Sequence, residues 1–355
     1  MTTKEKLLEL FEQNRGMFFS GEDIGKKLSV SRASVWKAVK TLQAEGYEIL
    51  AVTNKGYCLA ENTDILSTQG IMKYLLEESS ASDVNNEGVK KHKAYKNTNK
   101  SKNAVNNLLD NIDLTVMPII NSTNLFLKEK ANAGAKEGTV VVANEQTNGR
   151  GRANRAFFSP QGTGIYMSIL LRPNEDEKAK ISKITTMAAV AMSEAVEKVT
   201  NKKAYIKWVN DIFVEGKKVC GILTEASFDL ESGNIEYVVL GLGINVYEPE
   251  NGFPEEIKDV AGSVLKKSEN DVKNHLAAEF LRGFFKYYKA ENSDYVSKYR
   301  DRCFVIGKEI YVIRGESKKP AKVRALDDDC HLLVAYEDGK EESLSSGEIS
   351  IRLKI

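Results

Sequence analysis

Residues 138–173 read GTVVVANEQTNGRGRANRAFFSPQGTGIYMSILLRP. The two ends are short apolar runs rich in β-branched residues, so GTVVVANEQ and GIYMSILLRP are expected to be strands. Between them Arg150, Arg152 and Arg155 sit among glycines, directly before the aromatic pair Phe157-Phe158. Glycine lets a backbone approach a ligand closely. Arginine supplies planar donors shaped for carboxylate and phosphate. The stretch therefore predicts an anion-binding loop slung between two strands of a sheet.

Other runs extend that sheet. LTVMPII (114–120), YIKWVN (205–210) and EYVVLGLGINV (236–246) also read as strands. ISKITTMAAVAMSEAVEKVT and DVKNHLAAEFLRGFFKYYKAE carry helical periodicity. A sheet backed by helices follows, over roughly residues 107–303. Beyond it, EIYVIRG, AKVRALDDD, HLLVAYEDGKEESL and EISIRL are short strands separated by Gly and Asp turns. They predict a small SH3-like β-barrel over 304–355.

The N-terminal segment, 1–62, is of another kind. Leu7, Leu8, Leu10 and Phe11 recur at helical spacing until Gly16. Ser20 and Asp23 form a capping box for a second helix bearing Ile24 and Leu28. A third helix restarts at Ser31 with Val35, Val39 and Leu42 on one face, leaving Arg32, Ser34, Lys37 and Lys40 largely off it. YEILAVTNKGYCLA is a hairpin with Asn54-Lys55-Gly56 at its tip. Three helices and a hairpin make a winged helix-turn-helix. Arg32, Ser34, Lys37 and Lys55 are its candidate DNA contacts, and a helical interaction domain with a solvated basic face is the alternative. A linker, 63–106, follows, in which 79–106 is too polar to form a core and is expected to be a flexible insert.

Composition excludes several function classes. With 51 basic and 50 acidic residues among 355, the surface as a whole does not grip nucleic acid, although a local patch can. Cys58, Cys220, Cys303 and Cys330 show no paired spacing, which implies reduced thiols and neither a disulfide framework nor a zinc site. Three histidines, His92, His275 and His331, are too few for a His-based triad or metal centre. The start MTTKEKLLELFEQ is charged rather than secretory, and no apolar run reaches membrane-spanning length, so a cytoplasmic location is expected.

Four clusters carry chemistry: NSTN (121–124), NEQTNGRGRANR (144–155), KWVND (207–211) followed by Lys218, and GLGINV (241–246). Each alone is modest. GRGR could bind RNA, GLGIN could be a turn, Lys217-Lys218 could be solvated, and Trp208 and the Phe157-Phe158 pair could be core. No third glycine completes a Rossmann fingerprint, and no GxxxxGK[ST] loop exists. If the strand ends converge, the site combines cations, one carboxylate suited to Mg²⁺, and neutral hydrogen-bonding groups. That set suits condensation of a carboxylate with a nucleotide, in which two anions must be held together by positive charge. The carboxylate nucleophile is already ionised at neutral pH, so no general base is needed.

Taken in this order, NSTN, Gln146, GRGRANR, KWVND, GILTE and GLGIN resemble the biotin protein ligases, and in particular the bifunctional kind that also represses the biotin operon. The resemblance covers nearly the whole chain. It implies an α+β multidomain fold: a winged helix-turn-helix, a central mixed-sheet ligase domain of the class II synthetase and biotinyl/lipoyl ligase type, and an SH3-like end. It implies that Ser122, Thr123, Asn124 and Gln146 line the biotin pocket, with Arg150, Gly151 and Arg152 in the loop above. Lys218 would bridge carboxylate and α-phosphate, making Arg152 and Lys218 the catalytic pair. Arg152, Arg155, Asn210, Lys218 and Asn245 would bind ATP, and Asp211 would hold Mg²⁺. The implied partners are biotin, ATP, a biotin carboxyl carrier domain of acetyl-CoA or pyruvate carboxylase, operator DNA, and a second copy of the chain in a ligand-promoted homodimer. The family usually has proline where Val209 stands, and Phe157 occupies a position often held by tryptophan. A lipoate-type ligase and a non-catalytic biotin-sensing repressor are the alternatives.

Overall fold

The computed structural model describes residues 1–81, 112–174, 180–229, 233–290, 294–345 and 349–353. The chain divides into two compact units, Met1–Lys91 with Lys267–Glu279, and His92–Lys266 with Phe280–Ile355. Most of the expected polar insert lies outside the described residues.

In the first unit, α1 (Thr3–Glu12) opens with a complete capping box, Thr2 and Glu5 each satisfying the other's backbone N–H. Helices α2 (Gly21–Leu28) and α3 (Arg32–Ala44) start at Ser20 and Ser31, whose hydroxyls accept from Asp23 N and Ser34 N. At Ser20 the expected box closes differently: the Ser20 hydroxyl donates to the Asp23 carboxylate at 2.7 Å. Leu7, Leu8, Phe11, Ile24, Val35, Val39 and Leu42 form one core. Each fully buried aliphatic side chain contributes about 1.5–3 kcal/mol there.

Strands β1 (Ile49–Val52) and β2 (Gly56–Leu59) form the antiparallel hairpin. Asn54 and Gly56 turn it with φ of 65° and 95°. Phe19 and Tyr57 exchange backbone hydrogen bonds at 2.9 Å, which ties the wing to the helices. This is the winged helix-turn-helix read from the sequence. Helix α4 (Thr68–Ala81) follows and runs three residues into the segment expected to be an insert.

The second unit contains a seven-stranded mixed sheet. Its elements are β3 (Asp113–Met117), α5 (Thr123–Asn132), β4 (Thr139–Ala143), β5 (Gly164–Leu171), α6 (Ile184–Thr200), β6 (Tyr205–Lys207), β7 (Asp211–Val214), β8 (Lys217–Phe228) and β9 (Ile235–Asn245). The strand order is β3-β4-β5-β9-β8-β7-β6. Only β3 and β4 pair in parallel, and the other pairs are antiparallel.

Two sequence expectations need correction. The strand expected over 205–210 stops at Lys207, because the chain turns at 208–210 into β7. Strand β8, which pairs with β9 from Cys220 to Phe228, is absent from the sequence expectations. Its Lys, Thr, Glu and Ser residues stand exposed or half-buried, and only Val219, Cys220 and Ile222 are buried, so no regular apolar alternation marks it.

Helix α7 (Val272–Lys289) begins in the first unit's segment, and its later half belongs to the second. There Phe280, Phe284 and Tyr288 stack at successive i, i+4 positions and are fully buried. After α8 (Tyr295–Arg302), strands β10 (Glu309–Arg314), β11 (Ser317–Leu326), β12 (Leu332–Tyr336), β13 (Glu341–Leu344) and β14 (Ile349–Leu353) form an antiparallel sheet ordered β13-β12-β11-β10-β14. Five short antiparallel strands are the material of the small barrel expected here. All four cysteines are free and buried. Among the described residues no helix is long and apolar enough to cross a membrane.

Candidate active site

Register decides which residues of the large sheet share a face. Across β4, β5, β9, β8 and β7, Ala143, Tyr166, Gly243, Gly221 and Asp211 are successive partners. Side chains in one such row project to the same side, and so do residues two positions along. Ser168, Gly241 and Leu223 form the next row on that face. Three glycines reduce its centre to bare backbone, and neighbours fill the space. A Cβ at Gly241 would strike the Asn124 side chain, and one at Gly243 would come within 2.5 Å of the Phe157 ring. At Gly221 the same ring would be 3.3 Å away, with Lys218 Nζ at 3.6 Å. The glycines of GLGIN are therefore a floor, not a turn.

One wall is neutral and polar. Ser122, Thr123 and Asn124 begin α5 and are almost completely buried. Gln146 Oε1 accepts from Thr123 N at 2.9 Å and lies 3.1 Å from Thr123 Oγ1. Its Nε2 donates to Ser159 Oγ at 3.1 Å, and that hydroxyl donates to Phe157 O at 2.9 Å. Ser168 Oγ stands 2.8 Å from Thr123 Oγ1 and 2.6 Å from Asn124 Oδ1. Asn124 Nδ2 donates to Glu225 Oε2 at 2.8 Å, and Lys128 Nζ donates to Glu225 Oε1 at 2.6 Å. Burial pushes the Glu225 carboxyl up, but hydrogen bonds from Lys128 and Asn124, with the charges of Lys128 and Arg150, outweigh it and hold the carboxyl below its ordinary value. Sequence reasoning quoted Glu225 within GILTE but gave it no role. Its sequence signal was a single carboxylate two residues after the apolar pair Ile222-Leu223.

The other wall is charged. The GRGRANR loop folds into a small hairpin: Gly151 N donates to Arg155 O at 2.7 Å, and Phe157 N to Gly149 O at 2.9 Å. Its tip is a single 3-10 turn, Arg152–Asn154, with Ala153 and Asn154 at positive φ. Arg152 Nη1 donates to Asn210 Oδ1 at 3.3 Å. Burial pushes the Arg152 guanidinium below its ordinary value, with the Asp211 charge pulling the other way.

Lys218 Nζ pairs with Asp211 Oδ1 at 2.6 Å across the β7–β8 hairpin, where an irregular register after Ile212 brings Lys218 opposite Phe213. Lys218 also exchanges backbone bonds with Val260 and Gly262, and Asn245 Nδ2 donates to Gly262 O at 3.0 Å. The turn between β6 and β7 is tied down on two sides. Trp208 Nε1 donates to Cys330 O at 2.9 Å, and Tyr299 Oη donates to Val209 O at 3.0 Å. The Trp208–Val209 peptide is cis.

The structure thus brings Thr123, Asn124 and Gln146 together, and separately groups Arg152, Asn210, Asp211 and Lys218, with Phe157 over the glycines between. Arg150 turns toward the neutral wall, 4.0 Å from Glu225. Arg155 is exposed at the loop's outer end.

Comparison with known proteins bears directly on this arrangement. Residues 116–245 match the biotin/lipoate A/B protein ligase family, 3–58 an HTH domain, and 305–352 a biotin protein ligase C-terminal domain. A bifunctional ligase/repressor BirA of Bacillus spizizenii is 37% identical over 267 residues, covering 75% of this chain and 72% of that protein. The chain belongs to the biotin/lipoate protein ligase family. A BirA ligase/repressor of Escherichia coli is 27% identical over 356 residues, 99% of this chain and 98% of that one. A biotin protein ligase of Aquifex aeolicus, solved in complex with biotin and ATP, superposes with a TM-score of 0.56 at 30% identity. That match covers 68% of this chain and 99% of that one.

Proposed function

We propose that this biotin protein ligase joins biotin to ATP and then passes the biotin to a lysine of a biotin carboxyl carrier domain, while its winged helix-turn-helix represses transcription by binding operator DNA. The observation that carries the enzymatic reading is the placement of Lys218, Asp211, Asn210 and Arg152 together beside the Gly221 and Gly243 floor. In the first step a biotin carboxylate oxygen attacks the α-phosphorus of ATP and pyrophosphate leaves with the electrons of the broken P–O bond. Lys218 and Arg152 offset the repulsion between the two anions as they meet, in a site the loop closes from water. In the second step the carrier amine attacks the mixed anhydride carbonyl, a proton is lost, and AMP departs.

Ser122, Thr123, Asn124 and Gln146 take the ureido ring, and Arg150 and Gly151 cover the carboxylate end. Arg155, Asn210 and Asn245 lie on the nucleotide side. Among the described residues no group of three metal-ligating side chains exists. Mg²⁺ is commonly held by one or two carboxylates plus substrate phosphates, and the lone Asp211 fits that pattern. When bound there, the ion neutralises phosphate charge and orients the leaving pyrophosphate. The working domain division is 1–62 for DNA, 107–303 for ligation and 304–355 for the C-terminal sheet, and ligand-promoted homodimers would pair two wings on one operator. The deciding experiment is transfer of labelled biotin to a carrier domain with and without ATP and Mg²⁺. No ATP-dependent labelling would defeat the reading, and equal adenylation of a dithiolane acid would redirect it to lipoate.

A further inference from the structure

We propose that Trp36 is a specificity-determining residue of the DNA contact, reading thymine C5-methyl groups in the major groove while the cations around it hold phosphates. The inference rests on the operator-binding reading above. Helix α3 buries Val35, Ala38, Val39 and Leu42 in the core of the first unit. Its other side exposes Arg32, Ala33, Trp36, Lys37, Lys40 and Thr41. At i−4 and i+4, Arg32 and Lys40 lie one turn to either side of Trp36. Trp36 is 56% exposed, whereas the only other tryptophan, Trp208, is buried. Elsewhere in this unit cations cover aromatic rings: Lys27 Nζ stands 5.0 Å over Phe19 and Lys55 Nζ 5.9 Å over Phe18. Among the described residues no ring and no cation stacks on Trp36.

A large indole left in water gains from any apolar group that covers it. The occupant must also be polyanionic, because α3 carries Arg32, Lys37 and Lys40 and no acidic residue within its span. Duplex DNA meets both demands. An α-helix fits its major groove, and the thymine methyl is the one apolar group on the base edges there. The other bases present only donors and acceptors on those edges. Ala33, at i−3 on the same face, adds no bulk that would hold the ring off the groove floor. A patch serving phosphates alone would have no use for an indole between two cations.

The test selects from a pool of random-sequence duplexes, made once with thymine and once with uracil, using the full chain with biotin and ATP. Uracil keeps the O4 acceptor and the pairing and lacks only the methyl. The unaltered chain should enrich a motif with A·T pairs at fixed positions. On that sequence, exchanging a contacted thymine for uracil should weaken binding about fourfold, the worth of one buried methyl group. Trp36→Ala should bring that ratio to about one at the same positions. The slope of its log affinity against log salt should stay as in the parent, because no phosphate contact is lost. Trp36→Phe should keep part of the preference, since its ring still offers an apolar face. Equal enrichment of one motif from both pools, or a uracil penalty that persists in Trp36→Ala, overturns the proposal. So does a Trp36→Ala chain that keeps the parent's motif but no longer dimerises in sedimentation, which would assign the ring to a second copy. If the unaltered chain enriches no sequence from either pool, operator binding falls first and this inference with it.

Discussion

Lys218 and Asp211 sit on adjacent strands with Nζ and Oδ1 2.6 Å apart, so the cation assigned to the reacting phosphate is held by the carboxylate assigned to the metal. Each is half-buried, and each neutralises the other until anionic and cationic ligands compete for them. Lys218→Ala should lower the single-turnover rate of adenylate formation by about 10²–10³-fold, the scale for losing one preorganised charge contact. Biotin binding, measured calorimetrically, should change far less. Asp211→Asn should instead raise the Mg²⁺ concentration needed for half-maximal rate, and an unchanged Mg²⁺ requirement would remove Asp211 from the metal's side.

Phe157 rests on the sheet only because Gly243 lacks a side chain. Gly243→Ala would put a methyl group 2.5 Å from the ring and force the loop to shift. Overpacking of this kind costs about 1–3 kcal/mol. The expected outcome is slower adenylation with protein that still folds. Phe157→Leu in the same chain should recover part of the rate by making room, and a rate that the second change leaves as low would place the damage elsewhere.

The first unit holds a buried group that titrates near neutrality. Asp271 is pushed up to about 7 by burial, against the pull of Arg15, whose Nη2 lies 2.9 Å from it. Glu12, Asn274 and Tyr74 also face it. An aspartate in the unfolded chain titrates near about 4. Between these values the folded state keeps a proton that the unfolded state has released. Stability of this unit should therefore fall as pH rises from about 4 to about 7 and then level off. Hydrogen exchange in α1 and α4 across that range reads it directly, and Asp271→Asn should flatten the dependence.

Helix α3 contains no acidic residue and exposes Arg32, Trp36, Lys37 and Lys40. Arg32→Ala and Lys37→Ala should each reduce the slope of log affinity against log salt by about one, as expected for a lost phosphate contact. Ligase activity should hold. The reverse pattern, with activity lost and DNA affinity kept, would make the first unit a scaffold.

Local order was written in the sequence: the Ser20 and Ser31 helix starts, the apolar faces of α1 and α3, the Asn54–Gly56 turn, and the anion-binding character of GRGRANR. These depend on neighbours within a few residues, where side-chain chemistry and backbone geometry suffice. The motifs also named the family, because their order along the chain is itself information. The pairing of Asp211 with Lys218, the glycine floor beneath Phe157, and the contacts of Glu225 with Asn124 and Lys128 came only with the fold. Each depends on strand register, and register is fixed by the packing of whole sheet faces, not by any short run of residues. Strand β8 shows the reason most plainly: its sequence looks mixed because its two faces answer to different surroundings, and only the assembled sheet says which residue meets which.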